Sequence, residues 1–438
     1  MKDAELKRGA EPLLLHSGDG GGGACGGGDP AELIAALETA WQEQRLVALA
    51  DPAEAQQLQS ELIGAQLPVG AGVLVGSGGS SGGRRWCLQP LAHLQASAAA
   101  TARWLERQQI DPGSCLHLNP LPLHHVSGLL PLLRARQWAQ QRQQPWAGQQ
   151  PWGESHRWLP ATLLRQPQHL ADALPHPGDR PVLLSLVPTQ LARLLDHPAA
   201  VAWLRGCAVI WVGGAALPQD LARRARHWEL PLAPCYGATE TAAMVCALSP
   251  QQFLAGDPAH PGCGFPLEDV ELRLAPQTGA VQLRTARLSP GWLAQGRLQP
   301  LPRTPDGWWT SGDGGVLTPQ GLRIQGRLDG AINSGGETVF PEQLEERLRL
   351  LAAALPLQEV LLLGVEEPPW GQRLVALVRG HSPEDWGSLQ QALPALTADW
   401  RAAERPRRWL HCPDLAPSAA GKWQRGHWQQ CLASLQNL

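Results

Sequence analysis

Short apolar runs recur along this chain, each closed by a polar or glycine-rich loop and followed by a stretch with helical spacing. Ala71–Gly76 (AGVLVG), Cys115–Leu118, Leu183–Leu186 and Ala208–Val212 are such runs. Short apolar strands alternating with helices are the pattern of βαβ units, whose strands run parallel. The fold expected is therefore α/β with a substantially parallel sheet. Helical spacing over Pro30–Ala48 (Leu33, Ile34, Leu37, Trp41), with Asp29 as N-cap, predicts one helix, and a second is predicted from about Gln89 to Gln108. The Gln-, Pro- and Trp-rich segment 138–160 reads as an exposed connection.

From about residue 262 the pattern changes. Val270–Leu274, Ala280–Leu283, Gly315–Leu317 and Leu322–Gln325 are short strands separated by turns, which predicts a β-rich subdomain. After Arg327-Leu328-Asp329-Gly330 follows a compact tail with two or three helices and the strands Val360–Gly364 and Arg373–Arg379. Residues 18–29 (GDGGGGACGGGD) follow no apolar strand, so they read as a flexible tract rather than a phosphate loop.

Composition excludes several classes. The chain has 438 residues and a net charge of −3, with no run of basic residues, so nucleic acid is not expected as a partner. Val182–Val187 and Val360–Val365 are too short to cross a bilayer, and Leu13–Leu15 is too short for a signal-peptide core. Nine scattered cysteines without a C-x-x-C pair read as reduced thiols in a cytoplasmic protein. A homo-oligomer is compatible with the sequence but not required by it.

Of 36 basic residues only Lys2, Lys7 and Lys422 are lysines. Where positive charge alone is enough, arginine has taken the place. A lysine kept in such a background is a candidate for chemistry that a planar guanidinium cannot perform. A lysine in an exposed loop is otherwise an ordinary surface charge.

Six stretches carry possible chemistry. Ser77-Gly78-Gly79-Ser80-Ser81-Gly82-Gly83-Arg84-Arg85 follows a strand. It reads either as a linker or as a loop whose N–H groups, hydroxyls and guanidinium converge on an anion, and it lacks the ending of a Walker A loop. Asn119–Gly128 (NPLPLHHVSG) bends after a strand and carries His124 and His125, structural or functional; adjacent histidines rarely face one metal ion. Trp211–Pro218 (WVGGAALP) and Cys235–Thr241 (CYGATET) each end a strand in a loop, where ligands of parallel sheets bind. In the latter, Tyr236 offers a ring to a purine, Thr239 a hydroxyl to a phosphate and Glu240 a hard oxygen to Mg²⁺, while a plain polar turn is the other reading. Trp309–Val316 (WTSGDGGV) sets Asp313 between glycines, fit for a ribose diol or an ordinary turn. Gly326–Glu345 joins an Arg–Asp pair, a double glycine and Pro341 opening an acidic helix start, and Pro417–Arg425 (PSAAGKWQR) carries Lys422.

In this order and spacing the six resemble the adenylate-forming superfamily of acyl-CoA synthetases, adenylation domains and luciferases, over roughly residues 70–425. Ser77–Arg85 is similar to its phosphate loop, and His125 falls on the histidine of P-L-x-H-x-x-G. Tyr236–Glu240 matches Tyr-Gly-x-Thr-Glu, Ser311–Asp313 the T/S-G-D motif, Gly326–Asp329 G-R-x-D, and Pro417–Lys422 P-x-x-x-x-G-K. Gly78, Arg84 and Arg85 depart from the usual Ser, Pro and Lys of the loop, Asn333 replaces a common Lys, and the region before the loop is unusually short.

The resemblance implies a large N-terminal α/β domain with a β-rich subdomain (residues 1–328) and a small, mobile α+β C-terminal domain (329–438). It implies ATP, Mg²⁺, CoA and a small carboxylic acid as ligands. Nucleotide binding would fall to Ser77, Gly79, Ser80, Ser81, Gly82, Arg85, Gly213, Gly214, Tyr236, Gly237, Asp313 and Arg327, with Glu240 on the metal and Thr239 on the α-phosphate. Lys422 would bridge the carboxylate and the α-phosphate. Asp329 would be the hinge, and Gly335 and Gly336 would line the passage for pantetheine, where a side chain would block close approach. His125, Arg134 and Ala238 would meet the acid.

Within the superfamily, His125–Leu129, Val187–Leu191 and Ser334–Glu337 leading to Phe340-Pro341 lean toward the ligases that join o-succinylbenzoate to CoA in menaquinone and phylloquinone biosynthesis. Arg134 follows the apolar stretch Leu129–Leu133, where a guanidinium needs an anion such as the second carboxylate of such a substrate; the other reading is an arginine on a polar helix face or paired with a neighbouring acid. Another aryl or medium-chain ligase, an enzyme that loads a carrier protein, and a non-catalytic nucleotide-binding relative are the alternatives.

Overall fold

A computed structural model describes residues 12–16, 30–77, 85–141, 155–174, 178, 180–256, 262–417 and 423–436. Three of the four apolar runs lie in the expected parallel core, while the run at 71–76 belongs to a second sheet. His156–Trp158, Leu116–Asn119, Val182–Leu186, Val209–Val212 and Leu232–Ala238 run parallel, and Ala243–Ala247 and Phe265–Pro266 extend the sheet antiparallel. Alternation explains why both faces are dry. Leu184, Leu186, Ile210 and Val212 pack on helices Pro188–Leu195, Pro198–Arg205 and Gln219–His227. Leu183, Val209, Trp211 and Ala233 point into a second cluster with helix Leu91–Arg107. Each of these Val, Leu and Ile side chains, fully buried, contributes roughly 1.5–3 kcal/mol.

A second sheet departs from the expectation in two places. The helix predicted over 30–48 ends at Gln42; after Gln44 at φ 56°, Leu46–Ala50 is a buried strand between Leu13–His16 and Gly72–Ser77. Leu46-Val-Ala-Leu-Ala suits either element by periodicity, and pairing on both edges decides for strand. The helix predicted from Gln89 begins at Leu91, because Arg85–Pro90 returns antiparallel to Gly72–Ser77 and buries Trp86, Cys87 and Leu88. Gly291–Ala294 and Arg297–Pro300 complete this sheet. The exposed connection expected at 138–160 is also corrected at its ends. Trp138 is buried in helix Val126–Gln141, its indole donating to the Ala98 carbonyl, and His156–Trp158 is a sheet strand. A tryptophan supplies enough apolar area to draw a polar segment inward. Residues 142–154, and the glycine tract 18–29, lie outside the described residues.

The β-rich part is an antiparallel sheet of Glu271–Leu274, Ala280–Arg284, Trp309–Thr318 and Gly321–Arg327. A turn at Leu328–Gly330 leads to a five-stranded sheet, in which Leu357–Glu367 and Gly371–Gly380 pair along their length. Its two faces bury separate clusters, Val360 and Leu362 on one side and Leu361 and Leu363 on the other, built from residues after Gly330. Phe340 packs over Gly314 and Gly326, where a Cβ would sit 2.6 and 3.0 Å from its ring. No described helix is long and apolar enough to cross a membrane.

Candidate active site

The sheet edges that carry the motifs converge. Ser77 ends its strand with Oγ 2.5 Å from Oε1 of Glu240, 163 residues later, and the same oxygen accepts the indole N–H of Trp292 at 2.8 Å. Glu240 lies in the one-turn 3₁₀ segment Thr239–Thr241 that follows strand Leu232–Ala238, and it is buried. The amide of Gln89 holds the carbonyl of Thr239 at 2.6 Å. Arg85 opens the return strand, its guanidinium 5.1 Å from the Trp292 ring centroid.

On the other side of Gly237, the hydroxyl of Tyr236 donates to Asp313 at 2.7 Å and lies 3.1 Å from Ser311. Burial, and then the Asp313 charge, push this phenol well above its usual range, so it stays a donor. Arg327 stands 3.5 Å from Asp313 and makes a two-point contact with Asp329 at 3.1 and 3.0 Å, the carboxylate contributing most to raising its pKa. Gly312 permits this approach, since a Cβ there would lie 2.5 Å from the guanidinium. The structure thus brings together Ser77, Thr239, Glu240, Tyr236, Asp313, Arg327 and Asp329. Gly335 and Gly336 sit elsewhere, in the turn between Ile332–Ser334 and Glu337–Val339, at φ 59° and 83° with Gly335 against Trp370. Gly79, Ser80, Ser81, Gly82 and Lys422 lie outside the described residues.

Gly237 faces a backbone collision if given a side chain: its Cβ would lie 2.2 Å from the Ala243 carbonyl oxygen. Gly237→Ala is expected to cost roughly 1–3 kcal/mol by overpacking and to displace the Thr239–Glu240 turn. A thermal melt together with ATP affinity checks both parts. Gly213 is equally constrained, as its Cβ would lie 2.7 Å from the Cys235 sulfur, and Gly214 has φ 79°.

Behind these strands lies Arg134, on helix Val126–Gln141 and 4% exposed. It is neither on a polar helix face nor paired with an acid among the described residues; its Nε has no hydrogen-bond partner. The guanidinium lies 5.2 Å from the Trp211 ring centroid, and burial draws its pKa down to about 10, which leaves it a cation at neutral pH. Burial, and then Arg134, hold His117 well below the usual imidazole range, and burial lowers His156 to about 3, so both rings are neutral. The half-buried His125 lies edge-on to His124 at 4.4 Å, in a bend whose tightness Gly128 allows: a Cβ there would meet the Pro122 carbonyl at 2.1 Å. Ala238 ends the strand beside Thr239.

Three residues went unread in the sequence. Gln89 and Trp292 are described above; the third, Arg287, is fully buried and clasps the carbonyls of Thr241 and Met244 at 2.7 and 2.9 Å while pairing with Asp269 at 2.6 Å. It braces Ala242 and Ala243, both at positive φ (52° and 74°), a strained turn directly after the motif. One arginine among many, and one of nineteen tryptophans, carry no signal of their own.

This architecture is the adenylate-forming enzyme fold, and residues 162–285 match the AMP-binding enzyme family. The chain resembles curated 2-succinylbenzoate–CoA ligases over part of its length. It is 33% identical over 251 residues to the 2-succinylbenzoate–CoA ligase of Salmonella typhimurium, a match spanning 56% of this chain and 50% of that protein. The probable 2-succinylbenzoate–CoA ligase of Mycobacterium tuberculosis is 28% identical over 406 residues, 89% of this chain and 92% of the relative. The chain spans about half the length of the first of these relatives. The o-succinylbenzoate CoA synthetase of Bacillus subtilis, solved with its acyl-adenylate intermediate, shares the fold with a TM-score of 0.70 at 19% identity, over 96% of this chain and 88% of that one.

Proposed function

We propose that this protein is an AMP-forming acid–thiol ligase that activates 2-succinylbenzoate with ATP and transfers the acyl group to CoA, in the cytoplasm, within menaquinone or phylloquinone biosynthesis. The observation that carries the substrate is Arg134. A guanidinium buried without an acid partner among the described residues costs several kcal/mol, and a substrate bearing a second carboxylate offsets that cost. His125 and Ala238 would border the same acid.

In the first half-reaction the succinyl carboxylate attacks the α-phosphorus of ATP and pyrophosphate leaves. Negative charge gathers on phosphoryl oxygens, so positioned donors and cations supply the catalysis. Ser77, Gly79, Ser80, Ser81, Gly82 and Arg85 would hold the outer phosphates, with Thr239 on the α-phosphate. Gly213, Gly214, Tyr236 and Gly237 would border the adenine, and Asp313 and Arg327 the ribose. Glu240 fits Mg²⁺: both described donors fall on Oε1, and Mg²⁺ takes one or two carboxylates together with phosphates and water. The ion, when bound, neutralises phosphate charge. Lys422 would bridge the carboxylate and the α-phosphate.

In the second half-reaction the CoA thiolate attacks the acyl carbonyl and AMP leaves. Residues 1–328 and 329–438 would act as two domains, turning about Asp329 so that Lys422 withdraws and Gly335–Gly336 line the pantetheine path. The separate clusters of the last sheet support this division, and the open space around Gly336 supports its place on that path.

The test is mass spectrometry of CoA products from mixed aromatic and medium-chain acids. A 2-succinylbenzoyl thioester that requires ATP, with AMP released, is the expected product. Another acid preferred over it, or acyl transfer only to a carrier protein, would overturn the reading.

A further inference from the structure

We infer that Trp292 is a positioning residue, whose indole N–H aims the Glu240 carboxylate at the metal–nucleotide complex while its ring seats the Arg85 end of the phosphate loop. The inference rests on the reading of Glu240 as the Mg²⁺ ligand. Oε1 of Glu240 receives both Trp292 Nε1 and Ser77 Oγ, which leaves Oε2 as the oxygen without a described donor. A carboxylate held by one oxygen has its torsion set, and the other oxygen then points in one direction; outer-shell hydrogen bonds of this kind orient metal ligands.

The indole itself is fixed from behind. Trp292 is in register with Cys87, next to Gly291, where a Cβ would lie 2.0 Å from the Gln299 carbonyl. Ser289 ties the strand down: its hydroxyl, with one proton to give, lies 2.7 and 2.9 Å from the Leu88 and Gly291 carbonyls, and its N–H donates to the Glu240 carbonyl at 2.7 Å. The backbone and side chain of Glu240 are therefore both held from Ser289–Trp292. The face of the indole carries Arg85 by a cation–π contact. Arg85 and the metal ligand thus share one support.

Calorimetric titration of ATP, with Mg²⁺ and with EDTA, separates this role from simple packing. Wild-type protein is expected to bind ATP more tightly with Mg²⁺. Trp292→Phe keeps a ring for Arg85 and loses the N–H. It should reduce the Mg²⁺-dependent gain about tenfold and leave the EDTA affinity unchanged. Trp292→Leu should additionally weaken binding in EDTA, by loss of the Arg85 seat. A Trp292→Phe protein with the full Mg²⁺-dependent gain overturns the inference, as does one that loses affinity equally with and without metal. Wild-type binding indifferent to Mg²⁺ overturns the Glu240 reading first, and the inference with it.

Discussion

Replacing Lys422 by alanine is expected to slow acyl-adenylate formation by roughly 10²–10³-fold, the scale for removal of one donor aimed at transition-state charge. Thioester formation from a preformed acyl-adenylate should stay within about threefold, since on the proposed reading Lys422 has withdrawn from the site before the second half-reaction. Lys422→Arg should not restore the rate. A bridge between a carboxylate and an α-phosphate needs a compact ammonium with rotatable donors, whereas guanidinium donors lie in a fixed plane. ATP–pyrophosphate exchange reports the first step and quenched single turnovers the second. Equal loss in both would assign Lys422 a different role. Its segment lies outside the described residues, but the helix after it is firmly seated: Arg425 reaches both oxygens of the buried Glu345 at 3.0 Å and the Leu362 carbonyl at 2.8 Å.

The second large effect concerns Arg134. Arg134→Met keeps much of the volume and removes the charge. For 2-succinylbenzoate, kcat/KM should fall about 100-fold, equivalent to about 2.7 kcal/mol. For 4-oxo-4-phenylbutanoate, which has the succinyl chain without the ring carboxylate, it should change little. Thermal stability should hold or rise, because a buried cation without an acid partner among the described residues is replaced by an apolar side chain. Similar losses for both acids would remove Arg134 from substrate recognition, and a large fall in Tm would make it a structural residue.

The sequence showed the parallel core because short apolar runs alternate with helical spacing, a local property. It misplaced Leu46–Ala50, because an apolar pentapeptide does not say whether it winds or pairs, and its partners lie far off at Leu13–His16 and Gly72–Ser77; it also began the second helix at Gln89, inside the strand Arg85–Pro90. Motif residues such as Tyr236, Glu240 and Asp313 were legible from their spacing. Their support was not, as the donors to Glu240 come from Ser77 and Trp292, 163 and 52 residues distant.

By itself, then, the sequence determined the class of architecture and the order of the motifs, and it singled out Lys422 through the scarcity of lysine. Tertiary structure decided the rest. It put Arg134 in a buried place without an acid partner among the described residues, made Trp292 and Ser77 share one oxygen of Glu240, and set Arg287 under a strained turn. The reason is physical: burial and hydrogen-bond partnership depend on which chain segments meet, and loops between sheet strands bring together residues whose separation along the chain carries no pattern to read.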